Sequence, residues 1–389
     1  MKKIIIVNNN MKVGGVQKSL YNLLWSIDYA KYDVTLVLFS KTGDYIKNLP
    51  EGVRVIECGG PFEYLGKSQG EFKNSLKDTV ARGFLATVSR FFGRDRAIQI
   101  MLKKQPVLDG QYDCAISFLH NGRREAFYGG TQDYVHNCVN AAKKVAFLHC
   151  DYCKCGANHP ENNRLLAKFD KIAACSDGCR AVFENAVPEL AKKAATVRNC
   201  HRHDEIKSMA IDEPHKYDDS AVNVVLVARL SHEKGIDRAI SAVKNALANG
   251  LAVKLHIVGD GSMRDELENM SADMRDNVIF YGEQSNPYRY MKNADLLLLT
   301  SHHEAAPMVI DEARILGLPV LTTETTSSKE MVADAGCGWV CDNTQEALNK
   351  ALSEIVGNRE CLKELKEALI SRATDNKTAL EQFDSLICD

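Results

Sequence analysis

Apolar residues in this chain come in short unbroken runs, separated by longer stretches in which they recur at helical spacing. Residues 3–7, Lys-Ile-Ile-Ile-Val, lead through polar positions to Gly14-Gly15, after which Val16, Leu20, Leu23, Leu24 and Ile27 follow at three- and four-residue intervals. The run is a strand with both faces covered, the glycines form a loop, and the spacing that follows is one face of a helix. Runs at 34–39, 53–57, 113–118, 144–148, 171–175 and 195–198 repeat the strand pattern, with helical stretches between several of them. Alternation of this type predicts a doubly wound, mainly parallel α/β sheet.

A polar stretch at 204–220 interrupts the pattern, which then starts again. Strands are predicted at 222–227, 254–258, 278–281, 296–300 and 319–323, and helices at 237–249, 262–270, 287–293 and 307–316, with a helical segment closing the chain. The result is two α/β units of ordinary domain size joined within 201–220. We assign 1–205 to the first, 206–375 to the second, and 376–389 to a last helix that returns to the first. Open α/β sheets bind ligands beyond the carboxyl ends of their strands, so two facing units imply an active site in the cleft between them.

Composition narrows the field. With 389 residues, 45% hydrophobic and 26% charged, the chain has ordinary globular usage. No apolar run approaches the ~18 residues of a membrane span, and residues 1–7 are too short for a signal peptide, so a cytoplasmic location is expected. Thirteen cysteines, an odd number scattered through apolar stretches, read as reduced thiols. The net charge of -2 excludes a nucleic-acid coat, yet residues 1–200 carry 29 Lys+Arg against 19 Asp+Glu while 201–389 carry 20 against 32. Such asymmetry marks one half that meets an anionic surface or ligand. Within 67–104, nine basic residues, Arg90, Arg94 and Arg96 among them, accompany Phe84, Leu85, Val88, Phe91, Phe92, Ile98 and Leu102 at near-helical spacing. Two readings fit: a basic amphipathic helix on an anionic membrane at the inner face of the cell, or a helical hairpin capping the sheet.

Candidate chemistry lies where strands end. Gly14-Gly15 opens a helix, so its N–H groups can face a phosphate that the missing side chains allow close. It is not a Gly-x-Gly-x-x-Gly loop, and Ser40-Lys41 follows the second strand where a dinucleotide site wants a carboxylate, which argues against a nicotinamide enzyme. Arg229 follows strand 222–227, and Lys234 stands ahead of Gly235 and the next helix, so two cations can converge on one anion. In the segment 301–313, Pro307 suits the first helical position, Glu304 lies in the loop above it, and Glu312 falls inside the helix. Glu304 can accept hydroxyls of a sugar and Glu312 those of a ribose, while the N–H groups of Met308 and Val309 face phosphate. The bland alternatives are a helix N-terminal charge for Glu304 and a solvated helix face for Glu312.

Glu304, seven intervening residues and Glu312, preceded by Arg229 with Lys234, by Val258-Gly259-Asp260-Gly261 and by Gly282, and followed by Gly317-Leu318-Pro319-Val320, resemble the retaining GT-B glycosyltransferases of family GT4. Gly14-Gly15-Val16-Gln17 is similar to that family's first loop. The resemblance is dense over 222–340 and sparse over 1–200. It implies two facing Rossmann-like domains and transfer of a hexose from a nucleotide diphosphate sugar, a UDP-sugar first, with no cofactor or metal required. Arg229, Lys234 and Gly15 would then hold the donor diphosphate, Glu304 the sugar, Glu312 the ribose, and backbone near Gly282 the base. His149, in Phe147-Leu148-His149-Cys150-Asp151-Tyr152, would stand near the reacting centre, with Asp151 and His120 as acceptor-side candidates. Ala305 replaces the glycine of the family's usual Glu-Gly-x-Pro. The segment 324–330 lacks the usual paired glycines and resembles members that build capsule or exopolysaccharide, whose acceptors are glycans or lipid-linked diphosphates.

Other readings keep the same fold: a nucleotide-sugar epimerase or hydrolase, which would form product without an acceptor, or an inactive scaffold of a polysaccharide assembly complex. Cys150, Cys153 and Cys155, with Cys175, Cys179, Cys200, His201 and His203 elsewhere, could be imagined around zinc. The second half of a usual ligand set is missing from the sequence, and no metal site is expected.

Overall fold

A computed structural model describes residues 1–72 and 75–388; Lys73, one of the nine basic residues in 67–104, lies outside the described residues with Asn74 and Asp389. The chain divides into two units, Met1–Cys200 with Asn376–Asp389, and His201–Asp375.

The first unit is built on seven parallel strands: β1 (Lys2–Asn8), β2 (Tyr32–Leu38), β3 (Val53–Glu57), β4 (Tyr112–Ser117), β5 (Ala141–Leu148), β6 (Lys171–Ala174) and β7 (Ala194–Thr196), in the order β3-β2-β1-β4-β5-β6-β7. The central strand explains the unbroken apolar run. Ile5 and Val7 enter one core, Ile4 and Ile6 the other, and all four are 0% exposed. Successive side chains alternate between two covered faces, so no polar alternation survives in the sequence.

The C-terminal helix Lys377–Cys388 belongs to this unit. Its Ala379, Phe383, Leu386 and Ile387 join the core that holds Ile4 and Ile6, while Asp384 accepts from Tyr32 Oη at 2.8 Å and pairs with Lys31 Nζ at 3.1 Å.

The second unit repeats the plan with six parallel strands: β8 (Val222–Val227), β9 (Val253–Val258), β10 (Val278–Gly282), β11 (Leu296–Leu299), β12 (Val320–Thr323) and β13 (Gly338–Cys341), in the order β10-β9-β8-β11-β12-β13. Each sheet reverses its direction of growth once, between β1 and β4 in the first unit and between β8 and β11 in the second. A ligand crevice forms at such a reversal, because the connections leave it in opposite directions.

Four sequence expectations need correction. The stretch at 204–220 is not a plain polar connector: it contains helix His203–Ile211, whose Ile206 and Ala210 are buried one turn apart. Strand β13 was not predicted; four half-buried residues beginning at a glycine give too little pattern. Strand β7 ends at Thr196, two residues short of the expected 198.

The basic segment 67–104 departs most. It holds helices Leu76–Phe92 and Arg94–Leu102, and its apolar stripe divides between two environments. Leu85, Val88 and Ile98 enter the first unit's core, whereas Leu76, Val80, Phe84, Phe91 and Phe92 are exposed. Arg94 is not a surface charge at all. It is 1% exposed, pairs with Asp133, and donates from Nε to the Tyr128 carbonyl at 3.1 Å. A buried guanidinium persists only when its donors are matched, and these partners match them.

Candidate active site

The residues singled out in the sequence follow the strands at the two reversal points: Gly14 and Gly15 after β1, His120 after β4, Arg229 and Lys234 after β8, and Glu304 after β11. In the second unit the loops after β8 and β11 are tied together. His302 N–H donates to the Glu233 carbonyl at 3.0 Å, and Thr300 Oγ1 donates to the Gly235 carbonyl at 2.7 Å. Gly235 has φ +60, and a Cβ there would lie 2.4 Å from the Thr300 carbonyl oxygen. Glycine is required at this crossing, and it ends the short turn His232–Lys234 before helix Ile236–Ala248.

That crossing sets the central contact. Lys234 Nζ meets Glu304 Oε1 at 2.5 Å, and Ser301 Oγ donates to the same oxygen at 2.9 Å. Both side chains keep partial access to solvent, 28% for Lys234 and 14% for Glu304. An ammonium and a carboxylate so placed bring one strong donor and one strong acceptor to the same spot, which suits a ligand carrying both phosphate and hydroxyls. Arg229 is exposed just past the end of β8.

Pro307 is the N-cap of helix Met308–Leu316 and not its first residue, because its ψ of 115 is extended. Met308 and Val309 therefore hold the first helical positions, where N–H groups lack intrahelical acceptors and the helix dipole is positive. Glu312 is 3% exposed, which overturns the solvated-face alternative. At the end of edge strand β10, Gly282 has φ +71 and its carbonyl accepts from Gly259 N–H at 2.8 Å. Gly259 crowds β8 closely: a Cβ there would sit 1.9 Å from the Ala228 carbonyl oxygen.

Arg238 and Asn343 hold this loop system and escaped the sequence reading. Arg238 Nη1 donates to the Thr300 carbonyl at 3.2 Å and to Asn343 Oδ1 at 2.6 Å. Asn343 Nδ2 donates to the His302 carbonyl at 3.1 Å and the Glu324 carbonyl at 3.0 Å. The available signal was an arginine on an otherwise apolar face of Ile236, Ala239, Ile240 and Val243.

In the first unit Gly14 is the N-cap of helix Gly15–Ser26, and a Cβ on Gly15 would meet nothing within 4 Å. The protein's own packing thus does not explain a glycine at 15. His149 follows β5, with its ring 4.6 Å from that of Phe118 and 5.6 Å from that of Phe147. Burial, helped by neighbouring His120, depresses its pKa to about 3, and burial depresses that of His120 to about 4. Both imidazoles are therefore neutral near pH 7. Asp151 is occupied locally, its Oδ1 accepting from the N–H groups of Cys153 and Lys154 at 3.1 and 2.9 Å, so it shapes the turn after His149.

Known proteins resemble this chain in part of its sequence and in its fold. Residues 210–375 match the family described as Glycosyl transferases group 1. Lipopolysaccharide glucosyltransferase WaaG of Escherichia coli is 38% identical over 124 residues, 31% of this chain and 33% of that protein. Capsular polysaccharide biosynthesis glycosyltransferase CapM of Staphylococcus aureus is 26% identical over 142 residues, 36% and 37% of the two chains. The aligned stretches thus span about a third of the length of these relatives. Solved structures cover the whole chain: WaaG with TM-score 0.63, 19% identity and coverage of 99% and 100%, and HepE of Anabaena in complex with UDP with TM-score 0.66, 17% identity and 99% of each chain. The chain has the GT-B fold, and within its second unit residues 210–375 match the glycosyl transferases group 1 family.

Proposed function

We propose that this protein is a retaining glycosyltransferase that moves a hexose from a nucleotide diphosphate sugar, a UDP-sugar first, to a glycan or lipid-linked acceptor in bacterial surface polysaccharide synthesis. The observation that carries this reading is the Lys234–Glu304 contact in loops after β8 and β11, with the helix start at Met308 only four residues beyond Glu304. Lys234, exposed Arg229 and the N–H groups of Met308 and Val309 neutralise the departing β-phosphate oxygen. Glu304, released from Lys234 when phosphate arrives, accepts donor-sugar hydroxyls, and Glu312 accepts the ribose hydroxyls. The acceptor hydroxyl attacks from the leaving-group face and gives its proton to the departing oxygen, so neither a protein nucleophile nor a metal is needed for the transfer. The kinship with WaaG and CapM and the UDP complex of HepE support the donor class and the polysaccharide setting.

Acceptor-dependent release of UDP from UDP-sugars tests the reading. Lys234→Ala and Arg229→Ala should each lower turnover on the order of 10²–10³-fold, the usual loss when a preorganised transition-state donor is removed. Unchanged turnover in both would refute the assignment, and product formed equally without acceptor would favour the epimerase or hydrolase.

The same protein meets an anionic membrane through helix Leu76–Phe92. Leu76, Val80, Phe84 and Phe91 recur on one exposed face, and Lys77, Arg90 and Arg96 are exposed nearby. Each basic residue near an anionic surface contributes about 1 kcal/mol, so binding to anionic vesicles should be reversed by salt. Neutralising Arg90 and Arg96 with Phe91→Ser should abolish it. Equal sedimentation of that variant would contradict the assignment.

A further inference from the structure

The turn after β5 folds a thiol back on its neighbour. Cys155 N–H donates to the Asp151 carbonyl at 2.9 Å, Gly156 turns through φ +76, and Cys155 Sγ comes to 3.0 Å from Cys150 Sγ. From the loop after β4, His120 reaches the same place: one ring nitrogen of His120 and the two sulfurs all lie within 4.8 Å of one another. His120 is 9% exposed, and its Nδ1 is buried without a hydrogen-bond partner. Cys153 is exposed and is not among the three clustered ligand atoms.

We propose that His120, Cys150 and Cys155 form a zinc site that fastens the loop after β4 to the turn after His149. Two thiolates and an imidazole are a soft donor set that suits Zn²⁺, and three protein ligands leave a fourth position for water. Zinc holds sulfur at ~2.3 Å and nitrogen at ~2.0–2.1 Å, so two ligands at a tetrahedral angle stand roughly 3.5–3.8 Å apart. Binding therefore requires the two sulfurs, 3.0 Å apart here, to separate by under 1 Å. Nδ1 is the ligating nitrogen in this assignment, and coordination removes the cost of a buried polar atom without a partner. A disulfide between Cys150 and Cys155 would leave that nitrogen unsatisfied.

The test uses the full chain, reduced, incubated with Zn²⁺ or Co²⁺ and freed of excess metal by gel filtration. About one zinc per chain should remain, and the cobalt form should show thiolate charge-transfer absorption in the near ultraviolet with the intense visible bands of a tetrahedral site. His120→Ala and Cys155→Ser should each lose the bound metal, and Cys153→Ser should keep it. The melting temperature of the wild-type chain should rise with zinc and fall on chelation. Should a variant fail to fold, the cobalt spectrum of the wild-type chain still decides. Absence of stoichiometric metal, cobalt bands without thiolate character, equal retention by His120→Ala, or a mass showing a Cys150–Cys155 disulfide after purification under reductant would each overturn the proposal.

Discussion

Replacing Gly15 by alanine separates a role in folding from a role in binding. Gly15 is the first residue of helix Gly15–Ser26, it is absent from the positive-φ glycines, and the added Cβ meets nothing within 4 Å. Alanine therefore fits without strain, and by restricting the unfolded chain it should stabilise the first unit by about 0.4–1 kcal/mol. In a unit of this size that is a rise in melting temperature of roughly 1–4 °C. Binding should change in the opposite sense. A phosphate oxygen accepting from this loop must come within ~2.9 Å of a backbone nitrogen, a space the new methyl group would enter. Loss of one hydrogen bond to a charged ligand costs about 1.5–3 kcal/mol, which is about 10- to 150-fold in donor affinity. Thermal unfolding of the free protein and calorimetric titration with UDP-sugars measure the two effects separately. A more stable variant that binds the donor as tightly as wild type would refute the binding role, and a less stable variant would show that the glycine serves the fold.

Gly235→Ala should destabilise the second unit by at least about 1–2 kcal/mol, since φ +60 alone imposes that cost on an L-residue and the clash with Thr300 adds to it; denaturant unfolding measures this. His256 should make the second unit acid-sensitive. Its Nε2 lies 3.1 Å from Asn223 Oδ1 and its Nδ1 3.0 Å from Tyr281 Oη, and burial lowers its pKa to about 4. The folded state therefore resists protonation, so up to about 3 kcal/mol of stability present above pH ~6.5 should fade as pH falls toward 4. His256→Gln should flatten that part of the pH profile of unfolding, and a profile identical to wild type would contradict it. Arg94→Met should destabilise the first unit by about 3–5 kcal/mol because Asp133 is left buried without its cation. Arg94→Met combined with Asp133→Asn should recover part of that loss, and no recovery would argue against the ion pair as the cause.

The sequence revealed what depends on local pattern. Strands β1 and β8 carry apolar runs because both faces are covered, and the phosphate-side candidates could be located because they follow those strands directly. It failed where neighbours in space decide. Leu85 and Phe84 are adjacent and equally apolar, yet one enters the core and the other faces solvent, which helical spacing alone could not apportion. Arg94 read as a surface charge because Asp133 is 39 residues away. His120 and Cys155 meet only through the pairing of β4 with β5. Helix His203–Ile211 was hidden because one buried stripe of Ile206 and Ala210 is short against its polar surroundings.

A crystal structure of the chain with UDP tests the central claim most directly. The β-phosphate should lie within hydrogen-bond reach of Lys234 Nζ and of the Met308 or Val309 N–H, with Glu304 released from Lys234. A nucleotide bound elsewhere, with Lys234 still closed on Glu304, would contradict it.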